Sequence, residues 1–442
     1  PAIIALLAFL FSGCTTLPWS EGSADPQFFS PGLSTLNGIN TLKVVATDPL
    51  TGKVYVGGRF SSINNVSADN IAVFDPVSNE WASLAGGGLK SNTADYSVNA
   101  LAFLGRYLYV GGEFSRTSDG ITGLNNIARY DLIDRQWSVL PGQGVNGTVF
   151  AMTMNGNDLY VGGEMTSTFD LSLTFCPRIV RYHTDTGAWA MVDHGLNGFV
   201  SSLAAFAGDV FVGGVFTGDV FGGQSLGHIA RYRPATDSFE QLPGGGLDGQ
   251  VNAIAANTAG LYVGGSFQGT GDGQIFLSNV AFFDSVGWFP FPEDGVNDIV
   301  TSVAVLANDV YVGGTFSSSA NGATVINKVG RMHNNQWFAL DGNGLAGPSS
   351  SSVAAIAAAA NELYMVGNFR WTFDCEALTP CTAGNLNGFA RYSPPAKPFA
   401  ENLGTGPIGY IPFNGGIGLN GEVRAIESGP GGMMYVGGDF TQ

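Results

Sequence analysis

One short stretch, an apolar strand that ends in two glycines, recurs along the chain with a period near fifty residues. It is YVGG in most copies, and its aromatic residue stands at Tyr55, Tyr109, Tyr160, Phe211, Tyr262, Tyr311, Tyr364 and Tyr435. The intervals between these residues are 54, 51, 51, 51, 49, 53 and 71. Such regularity indicates a repeated supersecondary unit whose copies bury one continuous core against each other.

The unit from residue 98 to residue 145 shows what is repeated. VNALAFL is followed by a turn and by YLYVGGEF, a polar loop precedes NIARYD, and a second turn leads to WSVL. Four short strands without helical periodicity are typical of one blade of a β-propeller. Glycine inside a strand marks a bulge or a close backbone approach, so we expect blades to meet at the glycine pairs, with Tyr109 and Phe114 packed between sheets.

Composition agrees with sheets that are covered on both faces. Hydrophobic residues make up 45% of the chain and charged residues 12%, about half the usual charged share. The net charge is −17 and no basic run occurs, which excludes nucleic acid as a partner class. An acidic surface with few lysines is typical of an exposed protein, and we predict an extracellular or cell-surface location.

The number of repeats predicts an all-β fold, a single β-propeller of eight four-stranded blades within residues 24–442. The eighth unit, residues 421–442, contains only the first two strands. The N-terminal stretch DPQFFSPGLSTLNG resembles the fourth-strand end of other units, such as AMVDHGLNG. Because a bare strand edge invites association, we expect N-terminal strands to complete the last blade. The alternatives are a seven-bladed ring with a loose tail and a truncated gene product.

Residues 1–23 form a separate apolar segment with two interpretations. Residues 2–11 have the length of a signal-peptide core, and Ser12-Gly13-Cys14 resembles a lipoprotein cleavage site at which Cys14 would carry lipid. A membrane would then be a partner only through this anchor. The other interpretation is a strand buried on both faces, which could insert into a neighbouring molecule and link copies into a homo-oligomer or filament.

The other cysteines and two sequons are candidate modification sites. Cys375 and Cys381 lie in CEALTPC, within one predicted loop, and predict a disulfide in an oxidising compartment; two unpaired thiols are the alternative. Cys176 has no evident partner and is expected to pack as a small apolar group. N-V-S at Asn65 and N-G-T at Asn146 match the glycosylation sequon.

No arrangement of residues predicts chemistry. The four histidines lie in separate units, without the spacing of metal ligands or of a base beside a nucleophile: His183, His194, His228 and His333. Three Asp-Gly dipeptides predict turns and do not extend into calcium loops, at Asp119, Asp272 and Asp341. We therefore predict no catalytic residue, metal or cofactor.

The units resemble a known family. An aromatic residue of the third strand and a tryptophan of the fourth are separated by six residues, as at Tyr130 and Trp137 or Phe74 and Trp81. Together with the Gly-Gly strand, this pair resembles the kelch-type repeat. The pattern VYVGGxF…NIARYD…W…GGGL is similar to the propellers of fungal cortical-marker proteins and of bacterial surface proteins. The resemblance covers residues 41–442 and implies the fold, but kelch-type propellers include enzymes, adhesins and scaffolds.

We expect an extracellular or cell-surface propeller that acts as a structural or binding module and not as an enzyme. The long loops join the second and third strands and emerge on the same face as the links between blades. A protein or glycan partner is expected on that face, especially around FRWTFDCEALTPC. The alternative is a propeller enzyme acting on extracellular carbohydrate or another polymer, which converging carboxylates in a deep central pocket would favour.

Overall fold

The computed structural model describes residues 41–91, 96–121, 123–359, 361–376 and 386–394, and four further strands, Gln27–Phe29, Leu36–Asn37, Glu422–Ser428 and Met434–Asp439. The chain divides into two compact units. Residues 25–394 form the larger unit, and residues 1–24 with 395–442 form the other. The larger unit contains seven four-stranded antiparallel sheets, the blades of a β-propeller.

Six blades take all four strands from one continuous segment, in the order in which the strands follow along the chain. Blade one consists of Thr41–Thr47, Val54–Arg59, Ile71–Asp75 and Glu80–Ser83, and blade two of Ser97–Leu104, Tyr107–Glu113, Ile127–Asp131 and Gln136–Val139. Blade three consists of Val149–Asn155, Asp158–Gly163, Ile179–His183 and Ala188–Met191, and blade four of Val200–Phe206, Asp209–Gly214, Ile229–Arg233 and Ser238–Gln241. Blade five consists of Gln250–Asn257, Gly260–Ser266, Val280–Phe283 and Trp288–Pro290, and blade six of Val300–Leu306, Asp309–Gly314, Val329–His333 and Gln336–Ala339.

Blade seven is composite. Ser352–Ala359, Glu362–Asn368 and Phe389–Ser393 supply three strands, and Gln27–Phe29 supplies the fourth by pairing antiparallel with Phe389–Ser393. The N-terminal stretch therefore acts as a fourth strand, as predicted, but the prediction of eight blades is wrong. The stretch completes the seventh blade and not an eighth, because the first strand of blade one already contacts the first strand of blade seven and closes the ring.

The remaining elements are short. Three small sheets are formed by Leu36–Asn37 with Ser62–Ile63 and Val66–Ser67, by Leu89–Lys90 with Arg116–Thr117, and by Leu345–Ala346 with Trp371–Thr372. Single helical turns lie at Ala85–Gly87, Pro141–Gln143, Pro243–Gly245, Pro292–Asp294, Asp341–Asn343 and Phe373–Glu376. In the smaller unit, Glu422–Ser428 and Met434–Asp439 pair as an antiparallel hairpin.

The core lies between neighbouring blades. Each of seven apolar clusters joins side chains of two adjacent sheets, and the cluster between blades seven and one contains Leu42, Phe74, Trp81, Val366 and Phe389. The Trp81 and Phe389 rings meet edge to face with centroids 4.9 Å apart. Blade seven thus packs on blade one in the way that other neighbours pack, which confirms a closed ring of seven.

The glycine pairs are explained by two close approaches. A Cβ atom on the first glycine would lie within 2.6 Å of a valine Cγ1 in the first strand of the next blade, as at Gly111 beside Val149. A Cβ atom on the second glycine, such as Gly112, would overlap a backbone carbonyl oxygen of its own blade, opposite a bulge in the first strand. The predicted bulge and close approach are both present.

Tryptophan of the fourth strand joins blades two, three, five and six to the blade that precedes each of them. The indole Nε1–H donates to a carbonyl oxygen in the single helical turn that follows the preceding blade, and the pairs are Trp137 to Ala85, Trp189 to Pro141, Trp288 to Pro243 and Trp337 to Pro292, at 2.6–2.9 Å. These tryptophans therefore link neighbouring blades by a hydrogen bond, and each is buried or half-buried against the core.

Candidate binding face

The loops between second and third strands, together with the links between blades, make up one face of the ring, which we call the long-loop face. The turns that join first to second and third to fourth strands lie on the opposite side, the turn face. Each link pairs with the loop of the blade that follows it, as in Val145 with Thr168 or Leu247 with Thr270. Backbone hydrogen bonds between a link and the loop of the next blade therefore hold the long-loop face in place.

An amide or carboxylate in the link fixes the start of the loop in blades three to six. Asn146 Oδ1 accepts hydrogen bonds from the backbone N–H groups of Thr166 and Ser167, at 2.8 and 3.1 Å. Three other link residues bind the next loop in the same way: Asn197, Asp248 and Asn297. These residues belong to the recurring G-[LV]-[ND] pattern, a sequence signal for rigid loops that the analysis of repeats missed.

Aspartate closes a tight turn at the loop tips of blades three, four and five. Asp272 Oδ1 accepts a hydrogen bond from the Thr270 hydroxyl at 2.7 Å and from the Gln274 N–H at 3.0 Å. These bonds stabilise the ionised carboxyl group and hold the pKa of Asp272 below its usual value. Asp170 makes corresponding bonds in blade three. The predicted turn at Asp272-Gly273 is confirmed, with Gly273 at a φ of 69°.

Rigid loops here present apolar side chains to solvent. Phe221 of blade four is 70% exposed and Phe276 of blade five is 61% exposed. Phe175 of blade three stacks on Phe221 with ring centroids 6.0 Å apart, and the His194 ring meets Phe221 at 5.4 Å. Phe169, Leu171, Val325 and Phe373 are exposed on the same face. A cluster of exposed apolar groups on ordered loops marks an interaction surface.

A collar of mostly polar residues lies at the centre of the same face. It consists of the bulge residues of the seven first strands: Lys43, Asn99, Phe150, Ser201, Asn252, Thr301 and Ala354. Lys43 Nζ donates to Asn99 Oδ1 at 3.2 Å, Asn99 Nδ2 donates to the Val149 carbonyl at 3.1 Å, and Asn252 Nδ2 donates to the Val300 carbonyl at 2.9 Å. These bonds run from blade to blade, and the seven residues include no carboxylate.

The predicted cysteine sites are described only in part. Cys14 and Cys381 lie outside the described residues, so the lipid anchor and the disulfide with Cys375 stay predictions. Cys176 is buried as expected, with 1% of its surface exposed, in the cluster between blades two and three. Burial raises the pKa of its thiol to about 12, which keeps the thiol protonated and unreactive at neutral pH.

The two sequons differ in their surroundings. Asn65 is exposed in the turn between Ser62–Ile63 and Val66–Ser67. Asn146 is exposed as well, but its Nδ2 donates to the Thr166 hydroxyl at 2.9 Å while its Oδ1 holds the loop. Glycosylation of either residue stays a prediction.

The histidines occupy separate positions. His183 binds Asp158, His333 binds Asp309 and His194 binds Asp193, each through Nδ1. His228 takes the asparagine position before the third strand, with a φ of 63°, and burial lowers its pKa. Within the described residues, no group of three or more His, Cys, Asp and Glu side chains could hold a metal ion.

The stacked phenylalanines were not predicted from the sequence, although the face that carries them was. Phe216 and Phe221 stand five positions apart in one loop, yet Phe216 is buried and Phe221 is the more exposed of the pair. The signal that separates them is the position of Phe216 two residues after the second glycine, where each of the seven blades places a buried phenylalanine or methionine. Phe221 follows the turn-forming Asp219 and has no such equivalent.

The fold and this face define a seven-bladed β-propeller built from kelch-like repeats, a scaffold that presents rigid loops on one side. No family model matches the chain. Over 177 residues, 38% of its length, the chain is 28% identical to Polarized growth protein L1 from a Phoma species. The matched region is 13% of that longer protein. The described part of the chain contains no helix with the length and hydrophobicity of a membrane span.

Proposed function

We propose that this protein is a binding module that holds a partner protein on its long-loop face. The observation that carries the proposal is the stacked, exposed pair Phe175 and Phe221 on loops fixed by Asn146 and Asn197. Ordered aromatic side chains supply contact area at low entropic cost. The exposed tips offer phenylalanine and leucine, which favours an apolar protein surface over a glycan as the partner.

The proposal is tested with a photo-crosslinking amino acid placed at Phe221 in the producing cell. We expect one discrete cross-linked partner, and we expect the purified partner to lose affinity by tenfold or more for Phe221→Ser, as for a central aromatic contact. The control position is Val77, 93% exposed on the turn face. Equal cross-linking from both positions, or unchanged affinity of Phe221→Ser, would contradict the proposal.

The partial likeness to a polarized growth protein supports a binding role in polarized growth. We propose an extracellular or cell-surface location on the acidic, lysine-poor composition. Protease treatment of intact cells checks it: the epitope-tagged protein should be digested while a cytosolic marker survives. The alternative function, a propeller enzyme acting on extracellular carbohydrate or another polymer, stays a prediction.

Self-assembly through the N-terminal segment is also a proposal. Residues 2–11 lie outside the described residues, and their apolar sequence supports burial in a neighbouring copy. Deleting residues 1–13 and examining the product by electron microscopy tests it. Oligomers or filaments that disappear on deletion support intersubunit burial, and assemblies that survive unchanged reject it.

A further inference from the structure

Blade five departs from the repeat at two linked positions on the turn face. In three other blades an arginine of the third strand binds an acidic residue at the start of the second strand, in the pairs Arg231 with Asp209, Arg331 with Asp309 and Arg391 with Glu362. Blade five has Phe282 in the arginine position and Gly260 in the acidic position. The cation and its carboxylate are thus replaced together.

Blade six shows what the arginine does there. The Arg331 guanidinium lies 5.9 Å from the ring centroid of Phe338, which stands opposite it on the fourth strand. Asp309 binds the same guanidinium at 2.7 Å. A guanidinium is attracted to the face of an aromatic ring, and a carboxylate beside the ring orients it.

Phe289 is the counterpart of Phe338 in blade five. It follows Trp288 as Phe338 follows Trp337, and both phenylalanines are 40% exposed. The residue opposite Phe289 is Phe282, with ring centroids 6.1 Å apart. An aromatic ring therefore occupies the place that a guanidinium takes in blade six.

A groove of about 520 Å³ lies beside this aromatic pair, between blades five and six. It is lined by Tyr262, Phe282, Phe289, Pro290, Met332 and Asp284. Asp284 Oδ1 accepts the backbone N–H groups of Val286 and Gly287, at 2.7 and 3.2 Å, and in the described part of the chain no basic side chain pairs with this carboxylate. The groove therefore offers an exposed ring and a carboxylate that stands at a different position from Asp309, and no basic side chain accompanies them.

We propose that this groove binds an arginine from a basic peptide segment of a partner protein. The guanidinium takes a place over Phe289 and donates to Asp284, as Arg331 does with Phe338 and Asp309 within blade six. A net charge of −17 favours the approach of a basic segment. Arginine fits better than lysine because its planar group stacks on a ring and donates in a fixed plane. The lining of this groove includes neither Phe175 nor Phe221.

The test uses a fluorescent peptide of alternating arginine and glycine, titrated into the full chain by fluorescence anisotropy. We expect Phe289→Ala and Asp284→Asn each to weaken binding about five- to tenfold, the scale of one cation–aromatic contact or one charged hydrogen bond. Phe338→Ala is the matched control, with equal exposure and the same strand position, and should leave the affinity unchanged. The same peptide with citrulline in place of arginine should not bind.

Five results would overturn the proposal. Equal losses in Phe289→Ala and Phe338→Ala, or no loss in either groove variant, would show general attraction to an acidic surface. Binding of the citrulline peptide would show that the occupant is neutral. The absence of peptide binding by the unmodified chain would remove the site. Self-association that Phe289→Ala abolishes, seen by sedimentation without peptide, would identify a second copy as the occupant.

Discussion

Phe175 and Phe221 stack across the boundary of blades three and four, with ring planes inclined by 22° and both edges open to solvent. Because Phe221 is mostly exposed, we expect Phe221→Ser to change the free energy of unfolding by no more than about 0.5 kcal/mol. Phe216→Ala in the same loop removes a buried ring and should cost about 3–5 kcal/mol. Thermal or denaturant unfolding checks both values. A large loss for Phe221→Ser would assign that ring to the core and not to a binding surface.

A second prediction concerns the contact between Gly111 and Val149. A Cβ atom on residue 111 would lie 2.5 Å from Val149 Cγ1, so Gly111→Ala should destabilise the fold by roughly 1–3 kcal/mol. Val149→Ala in the same chain makes room for the added methyl group. The double variant should therefore be more stable than the sum of the two single losses predicts, by chemical denaturation. Simple additivity would mean that the two blades do not meet at these residues.

The third prediction is a loss of loop order in acid. The pKa of Asp272 is lowered in the folded protein, chiefly by the Thr270 hydroxyl, so its carboxylate stabilises the loop above the unfolded pKa of about 3.9. That contribution falls away as pH decreases through the lower, folded pKa. Amide exchange in residues 270–275, corrected for intrinsic rates, should quicken below about pH 4.

Asp272→Asn is the control for this acid transition. It keeps the acceptor oxygen for Thr270 and Gln274 and does not titrate. The acid-dependent loss of protection in residues 270–275 should therefore be absent from the variant. The same loss in both proteins would assign the transition to other groups.

The fourth prediction uses the buried thiol of Cys176. In a variant with serine at the other three cysteine positions, Cys14, Cys375 and Cys381, an aromatic disulfide reagent should label Cys176 at pH 8 only after denaturant unfolds the protein. Burial and a pKa of about 12 both oppose attack by this thiol in the folded state. Rapid labelling of the native variant would show that the cluster between blades two and three opens easily.

The blade and its strand order follow from the sequence because turns, strand lengths and glycine spacing are local properties. The number of blades in the ring is not local, and counting repeats gave one too many. The ring closes where Val366 replaces the first glycine of the pair and Leu42 replaces the valine that faces it in other blades. These two replacements lie at the boundary where the ring closes. Comparing the residues at the two positions among the units of the sequence could have identified that boundary.

The candidate site was predictable to the level of a face. Loop length and connectivity place the variable segments on one side, since strand direction alternates within a blade. Which side chains are exposed there depends on the packing of each loop on its neighbour, as the different environments of Phe216 and Phe221 show. The groove beside Phe289 depends on two blades at once, so no single repeat predicts it.

A strand of the same chain closes the ring at blade seven. Gln27 on the fourth strand of blade seven stands opposite Ser393 on the third strand. Directly opposed residues have Cβ atoms about 4.5–5.5 Å apart, close to the separation that a disulfide needs. The most direct test is therefore the variant Gln27→Cys with Ser393→Cys, oxidised when dilute and analysed by mass spectrometry of its linked peptides. We predict an intrachain disulfide between positions 27 and 393 in a monomer. Interchain linkage of these positions, or no linkage between them, would contradict a seven-bladed ring closed within one molecule.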